Sequence, residues 1–363
     1  LASKSFNTQL PFLKMAPPRQ KPAKKVTKSH KANQSRSVTK EQSLSDSNSI
    51  ELQQLLLNVF RDSFSERLES DIHPLLQEVK GYLYNRDFLT AFGRNDYLET
   101  YAARWSPSRA LGYLQVFTDL IEHISPALSH RPDEDRLKKI VCIGGGAGAE
   151  IVALAGLLKC RAQTEPEAEH PMKLSICAID IADWSSVVSN LHQNIITAPK
   201  LSKHASAAAQ AASTQLVSPE AFDVSFHQHD ILNTDASVLR PLLQDVTIVT
   251  IMFTLNELYS TSLSLTQLFL LNLTACLREG ALLLVVDSPG SYSSVSLNGA
   301  EKKYPMQWLL DHTLLKEGPK GEAAAWSKVE EDESRWFRLD GRLKYSIELE
   351  NMRFQLHLYR KLG

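Results

Sequence analysis

Little in this sequence would suit a stapled or membrane-embedded protein. Only four cysteines occur in 363 residues, Cys142, Cys160, Cys177 and Cys276, with no C-x-x-C pair among them. Three lie in or beside apolar runs where a small buried thiol fits, so reduced core cysteines are expected rather than a disulfide framework. No apolar run approaches the roughly 18 to 20 residues of a membrane span. The longest, around Leu268–Leu277 and Ala281–Val286, are broken by Asn272, Arg278 and Glu279, so a soluble chain without a membrane partner is expected. The start lacks the apolar stretch of a secretory leader. Because Leu1 opens the chain, Met15, followed by Ala16-Pro17-Pro18, is the expected natural start.

Acidic residues are missing altogether from the first forty positions, which hold ten basic ones: Lys4, Lys14, Arg19, Lys21, Lys24, Lys25, Lys28, Lys31, Arg36 and Lys40. The remaining chain carries thirty basic and forty-one acidic residues, so the formal charge of -1 hides a basic tail on an acidic body. Binding of a polyanion would have to rest on the tail and on local patches rather than on net charge. Hydrophobic residues at 43% and charged residues at 22% are ordinary soluble globular usage, which excludes collagen-like, coiled-coil and wholly disordered chains. The length suits one large or two medium domains.

Residues 1–48, rich in Lys, Ser, Pro, Gln and Thr, have too little apolar surface to offset the entropy of ordering and are expected to be a disordered tail. Over 49–132 apolar positions recur at helical spacing (Leu52, Leu55, Leu56, Val59, Phe60, then Leu111 to Ile124), punctuated by Pro74, Pro107 and Pro126, which predicts a helical subdomain. From 133 to 363 short apolar runs alternate with helix-length segments: Lys139–Ile143, Leu174–Ile179, Val224–His229, Val246–Phe253 and Ala281–Val286. That alternation predicts an α/β domain with a parallel sheet. Arg335–Leu339 and Phe354–Tyr359 read as a late antiparallel hairpin, and 161–171, 202–219 and 316–334 as surface insertions or loops.

The sharpest motif is the apolar strand that runs into Gly144-Gly145-Gly146-Ala147-Gly148-Ala149-Glu150 and then into the helical run Ile151–Leu158. Glycines let the chain turn sharply and let a ligand approach the backbone, while a helix N-terminus favours polar or anionic groups. Read as G-x-G-x-G it suits S-adenosylmethionine (SAM); read as G-x-G-x-x-A it suits a dinucleotide. Context favours SAM. Strand two ends at Asp180, where a carboxylate can accept from both ribose hydroxyls, and strand three ends at Asp230, which can accept from an adenine amino group. Strand four runs into Phe253-Thr-Leu-Asn256-Glu257-Leu-Tyr259, the edge that faces a transferred methyl. His227 and His229 share a strand face beside Asp230, but no third ligand is placed and no metal is expected. Tyr101, Arg104, Trp105 and Arg109 could close over a cofactor, meet RNA or simply pack, and Trp184 could stack on adenine or pack.

The segments VCIGGGAGAE, FTLNELY, RWSPSRALGYLQVF (from Arg104) and KYSIELENMRFQLHLYRK are similar to those of the fungal large-subunit (25S) ribosomal RNA uridine-N3 methyltransferases, over roughly residues 50 to 363. The resemblance implies a Rossmann-like, seven-stranded class I methyltransferase sheet and SAM as cofactor, with Gly144, Gly146, Gly148, Glu150, Asp180 and Asp230 around it. It also implies a ribosomal RNA or pre-ribosomal partner and a nuclear or nucleolar location, with the cytoplasm as alternative. Many methyltransferases carry an acid two residues before the first glycine; this chain has Cys142. Transfer to the imide N3 is an in-line attack on a sulfonium methyl that needs the N3 proton removed; Glu257 is the candidate acceptor and Asn256 the orienting amide. Both could instead cap and charge the next helix. Alternatives are methylation of a protein or small molecule, a degenerate methyltransferase fold acting as an assembly scaffold, and a nicotinamide dehydrogenase, which the late hairpin disfavours.

Overall fold

The structure, a computed structural model, describes residues 49–128, 137–165, 171–199, 206, 213–290, 292–297, 300–317 and 323–363. The expected tail and most of the 202–219 insertion lie outside the described residues. All the described residues fall within one unit, 42–363.

Among the described residues six helices precede the first strand: α1 (Ile50–Ser63), α2 (Ser65–Glu69), α3 (His73–Tyr84), α4 (Phe88–Ala91), α5 (Asn95–Asp119) and α6 (Ile121–Leu128). Ser49 starts α1 by accepting from the Leu52 N–H at 3.1 Å, and the helix buries Leu52, Leu56, Leu57 and Phe60. Pro74 sits in the first turn of α3, where its missing N–H costs nothing. Pro107 was expected to break a helix, but α5 runs straight through it. A mid-helix proline orphans the carbonyl four residues back. Here that carbonyl is Ala103 O, and the Tyr345 hydroxyl donates to it at 3.0 Å.

The strands are β1 (Lys138–Ile143), β2 (Leu174–Asp180), β3 (Phe222–Gln228), β4 (Val246–Met252), β5 (Leu282–Asp287), β6 (Tyr292–Leu297), β7 (Ala300–Pro305), β8 (Trp326–Phe337) and β9 (Met352–Lys361). Seven of them form one sheet in the order β3-β2-β1-β4-β5-β9-β8, while β6 and β7 pair separately. The first five run parallel; β9 enters antiparallel to β5, and β8 antiparallel to β9. The intervening helices are α7 (Ala149–Thr164), α8 (Ser185–Ile196), α9 (Ala236–Leu243), α10 (Leu255–Thr261), α11 (Leu263–Cys276) and α12 (Met306–Leu314). No described helix is long and apolar enough to cross a membrane.

Period-two alternation divides the core. Ile140, Cys142, Leu282, Leu284 and Val286 face a layer that contains α1, α5, α7 and α8, so the N-terminal helices share the core of the sheet. Val141, Ile143, Leu283 and Val285 face α9, α11 and α12. All three of the expected loops need correction. The 316–334 segment contains most of β8, and the described end of the 202–219 insertion buries Leu216 and Val217, with the Leu216 N–H donating to Ile195 O. Similarly, α7 extends into the 161–171 segment as far as Thr164.

Candidate functional site

Strand order reverses between β1 and β4, and in open parallel sheets the crevice at the carboxyl ends of such strands is where ligands bind. The glycine loop fills that position. Gly144 takes φ +71°, and a Cβ there would lie 2.2 Å from Thr254 Oγ1, so both backbone and space demand glycine. A Cβ on Gly146 would strike the Trp184 ring at 2.1 Å. Gly148, at φ +80°, starts α7. Helix α5 braces the loop from above: the fully buried Ser106 hydroxyl donates to Ala147 O at 2.7 Å.

Asp180 closes β2 against this loop, accepting from the Gly146 N–H at 3.1 Å and the Ala182 N–H at 3.4 Å. Burial pushes its carboxyl up to about 6, while those hydrogen bonds pull the other way. The Trp184 indole N–H faces Asp180 without reaching hydrogen-bond geometry, and its ring packs on Phe92 (5.4 Å) and Tyr101 (5.7 Å). Glu150, in the first turn of α7, is 3% exposed with Oε1 lacking a hydrogen-bond partner. Burial pushes its carboxyl up to about 8, opposed by the Arg109 guanidinium. Asp230 follows β3, where it accepts from the Leu232 N–H (3.0 Å) and the Asn233 side chain (2.7 Å) in a turn. The His229 N–H donates to Asp180 O, which ties the ends of β2 and β3 together. His227 and His229 stack at 6.3 Å, and among the described residues no group of three candidate ligands gathers.

On the β4 side, Phe253 adopts φ +56°, a left-handed conformation that non-glycine residues rarely take, and its N–H donates to Val286 O at 2.7 Å. Its ring stacks on Tyr113 (6.4 Å) and lies under the Arg109 guanidinium (5.1 Å), which also donates to the Tyr101 hydroxyl at 2.8 Å. Asn256 and Glu257 begin α10. The Asn256 N–H donates to Asp287 Oδ2 at 3.0 Å, and Glu257 is held through both oxygens by Arg86 at 3.0 Å, on the surface. Asp287 was not anticipated. It ends β5 at 3% exposure, with its carboxyl pushed up to about 6 by burial; an acid closing the run Leu-Val-Val-Asp was the available signal.

The residues fit a SAM molecule. The cradle offers a glycine turn, a buried carboxylate at the end of β2, and a second buried acid whose Oε1 is orphaned, which suits a ligand carrying hydroxyls and cationic groups. Cys142 lies fully buried in the apolar layer, with its thiol pushed up by burial, so the acid many methyltransferases carry there has no counterpart at that position.

A sheet in this order with such a loop defines a Rossmann-like, class I methyltransferase. The model of a family described as SAM-dependent methyltransferases matches residues 60–360. The 25S rRNA (uridine(2843)-N(3))-methyltransferase of Saccharomyces cerevisiae is 36% identical over 328 residues, 85% of this chain and 85% of that protein. Among solved structures, the N-methyltransferase NodS of Bradyrhizobium japonicum with S-adenosyl-L-homocysteine overlaps at a TM-score of 0.34 and 14% identity, over 73% of this chain and 97% of that one. A SAM-dependent methyltransferase of Methanosarcina mazei overlaps at 0.33 and 11%, over 65% and 99%. Those overlaps are partial, and the fold class rests here on the strand order. The chain belongs to the family of SAM-dependent methyltransferases that includes the yeast 25S rRNA uridine-N3 enzyme.

Proposed function

We propose that the protein methylates N3 of a uridine in large-subunit ribosomal RNA during ribosome biogenesis, acting in the nucleus or nucleolus on ribosomal RNA or a pre-ribosomal particle. The observation that carries this reading is the 36% identity to the yeast rRNA enzyme over 85% of the chain.

SAM, when bound, supplies an electrophilic methyl on a sulfonium. Gly144, Gly146 and Gly148 would give it backbone to lie against, Asp180 would accept from its ribose hydroxyls, Asp230 from its adenine amino group, and Glu150 would face its cationic end. Asn256 and Glu257 stand towards the acceptor. Asp287 fixes the backbone of Asn256, and Glu257 takes the N3 proton once Arg86 releases one of its oxygens. Tyr101, Trp184, Phe92 and Tyr113 exclude water from one wall of the crevice. Positioning accounts for most of the catalysis. The test is methyl transfer from labelled SAM to unmodified 25S rRNA, followed by nucleoside analysis. Label in 3-methyluridine supports the reading; label only in protein or small molecules refutes it.

A further inference from the structure

Beside the β4 edge lies a cavity of about 190 Å³, between the middle of α5 and the segment that leads into β9. Arg104, Trp105 and Arg109 line it from α5, Phe253 from just after β4, and Glu350 and Arg353 from the C-terminal segment. Two features set it apart from a packing defect. Arg104 is 5% exposed, and its Nη1 has no hydrogen-bond partner although Nη2 is paired with Glu350. A buried guanidinium nitrogen left unpaired is costly unless something fills the role, so it marks a place where an acceptor belongs. The second feature is the construction of the walls. The Tyr345 hydroxyl on Ala103 O and the Ser108 hydroxyl accepting from the Glu350 N–H fasten the C-terminal segment across α5 on both sides of Arg104.

Building on the rRNA reading above, we propose that this cavity receives the acceptor uracil and that Arg104 Nη1 donates to one of the two carbonyl oxygens flanking N3. The volume corresponds to roughly six waters, enough for one single-ring base. Trp105 offers aromatic surface to such a ring, and Phe253, whose faces are taken by Tyr113 and Arg109, closes the wall beside it, next to the Thr254 that touches the glycine loop. When that oxygen is O4 the donor selects uracil over cytosine, whose amino group at the same position would oppose it and leave Arg104 unpaired; O2 is common to both bases. The charged groups facing Arg104 are Arg109 on the same helix and Glu350 and Arg353 across the cavity, so cations outnumber anions and favour an imide that has lost its proton. N3 gives up its proton by way of solvent to Glu257, the acceptor proposed above, which lies outside the lining of the cavity. Its freed electron pair forms the N–CH3 bond as the C–S bond breaks, leaving a neutral thioether. Outside the cavity, Trp336 is 51% exposed with Arg338 (4.9 Å) and Arg353 (5.8 Å) over its ring, a platform for flanking nucleotides that shares Arg353 with the cavity.

The test compares the parent with Arg104→Lys and Arg104→Gln in single-turnover methylation of unmodified yeast 25S rRNA transcript. A second transcript contains 5-fluorouridine, whose N3 proton is more acidic. Both variants should keep the parent's melting temperature and SAM affinity and lose about ten- to a hundred-fold in rate near pH 7. The loss should shrink as pH rises and shrink on the fluorinated transcript, because each supplies the imide anion that Arg104 otherwise stabilises. A loss equal at every pH and on both transcripts, or no loss, overturns the proposal. Should the Arg104 variants fail to fold, Ser108→Ala, which loosens the segment anchoring Arg104, should give a smaller loss with the same pH and fluorine dependence; parent behaviour in that variant also overturns it. If the parent itself forms no 3-methyluridine, the rRNA reading has failed rather than the assignment of the cavity.

Discussion

Glu150→Gln isolates the cost of burying an acid for a ligand. The Glu150 carboxyl moves from an ordinary 4.5 to about 8 on folding because burial strips its water. Below pH 4.5 it is protonated in both folded and unfolded chains and contributes no difference. Between 4.5 and about 8 the unfolded chain releases the proton while the folded one keeps it, so the unliganded protein loses stability as pH rises through that window. At pH 7 the accumulated loss is on the order of 3 kcal/mol, at ~1.4 kcal/mol for each tenfold in the ionisation equilibrium. Glutamine keeps the shape without the charge. The variant should therefore melt roughly 5 °C above the parent at pH 7, somewhat more at pH 8, and level with it near pH 4. The same change should weaken SAM binding, since the orphaned oxygen is the one offered to the ligand. Thermal unfolding across pH 4 to 8.5, with calorimetric SAM binding alongside, reads both. A variant that melts at or below the parent at every pH would refute the claim that Glu150 is held in the fold at a cost.

Asp180→Ala should weaken SAM about ten- to a hundred-fold through loss of charge-assisted hydrogen bonds, seen by calorimetry. In the parent, affinity should decline as pH falls below about 6, where Asp180 takes up its proton. Glu257→Gln should leave SAM affinity and melting temperature nearly unchanged, because an exposed ion pair such as that with Arg86 contributes about 0 to 1 kcal/mol, while slowing single-turnover methylation. Equal rates across pH would make Glu257 a helix-start charge only. Deleting residues 1–45 removes ten cations against a single acid, Glu41; affinity for single-stranded rRNA should fall, and the salt slope should flatten by about 0.7 per lost phosphate contact. An unchanged slope would place RNA binding entirely on the body.

Four of the five parallel strands were legible as largely apolar runs and β3, FDVSFHQ, by its apolar/polar alternation, and their ends differ from expectation by two residues at most. Strand β8 was half hidden. Its sequence, WSKVEEDESRWF, belongs to an edge strand with an open face, and two register shifts, at Lys328/Glu330 and Asp332/Arg335, break the alternation. The uninterrupted α5 was illegible for a different reason: what tolerates Pro107 is Tyr345, more than two hundred positions away. Gly144, Gly146, Gly148, Glu150 and Asp180 could be read off because strand ends and a glycine turn place them locally. The aromatic wall and the cavity at Arg104 could not, since they form only where α5 meets the segment before β9. The sequence named Tyr101, Arg104, Trp105 and Arg109 as a cluster, and only the packing separates Tyr101 in the wall from Arg104 at the cavity.

The most direct test of the central claim is digestion of 25S rRNA to nucleosides after incubation with the purified protein and labelled SAM, using rRNA that lacks the modification. The account predicts label in 3-methyluridine, and its disappearance with Asp180→Ala at a SAM concentration below that variant's dissociation constant. Label in any other nucleoside, or label only in protein, would contradict it.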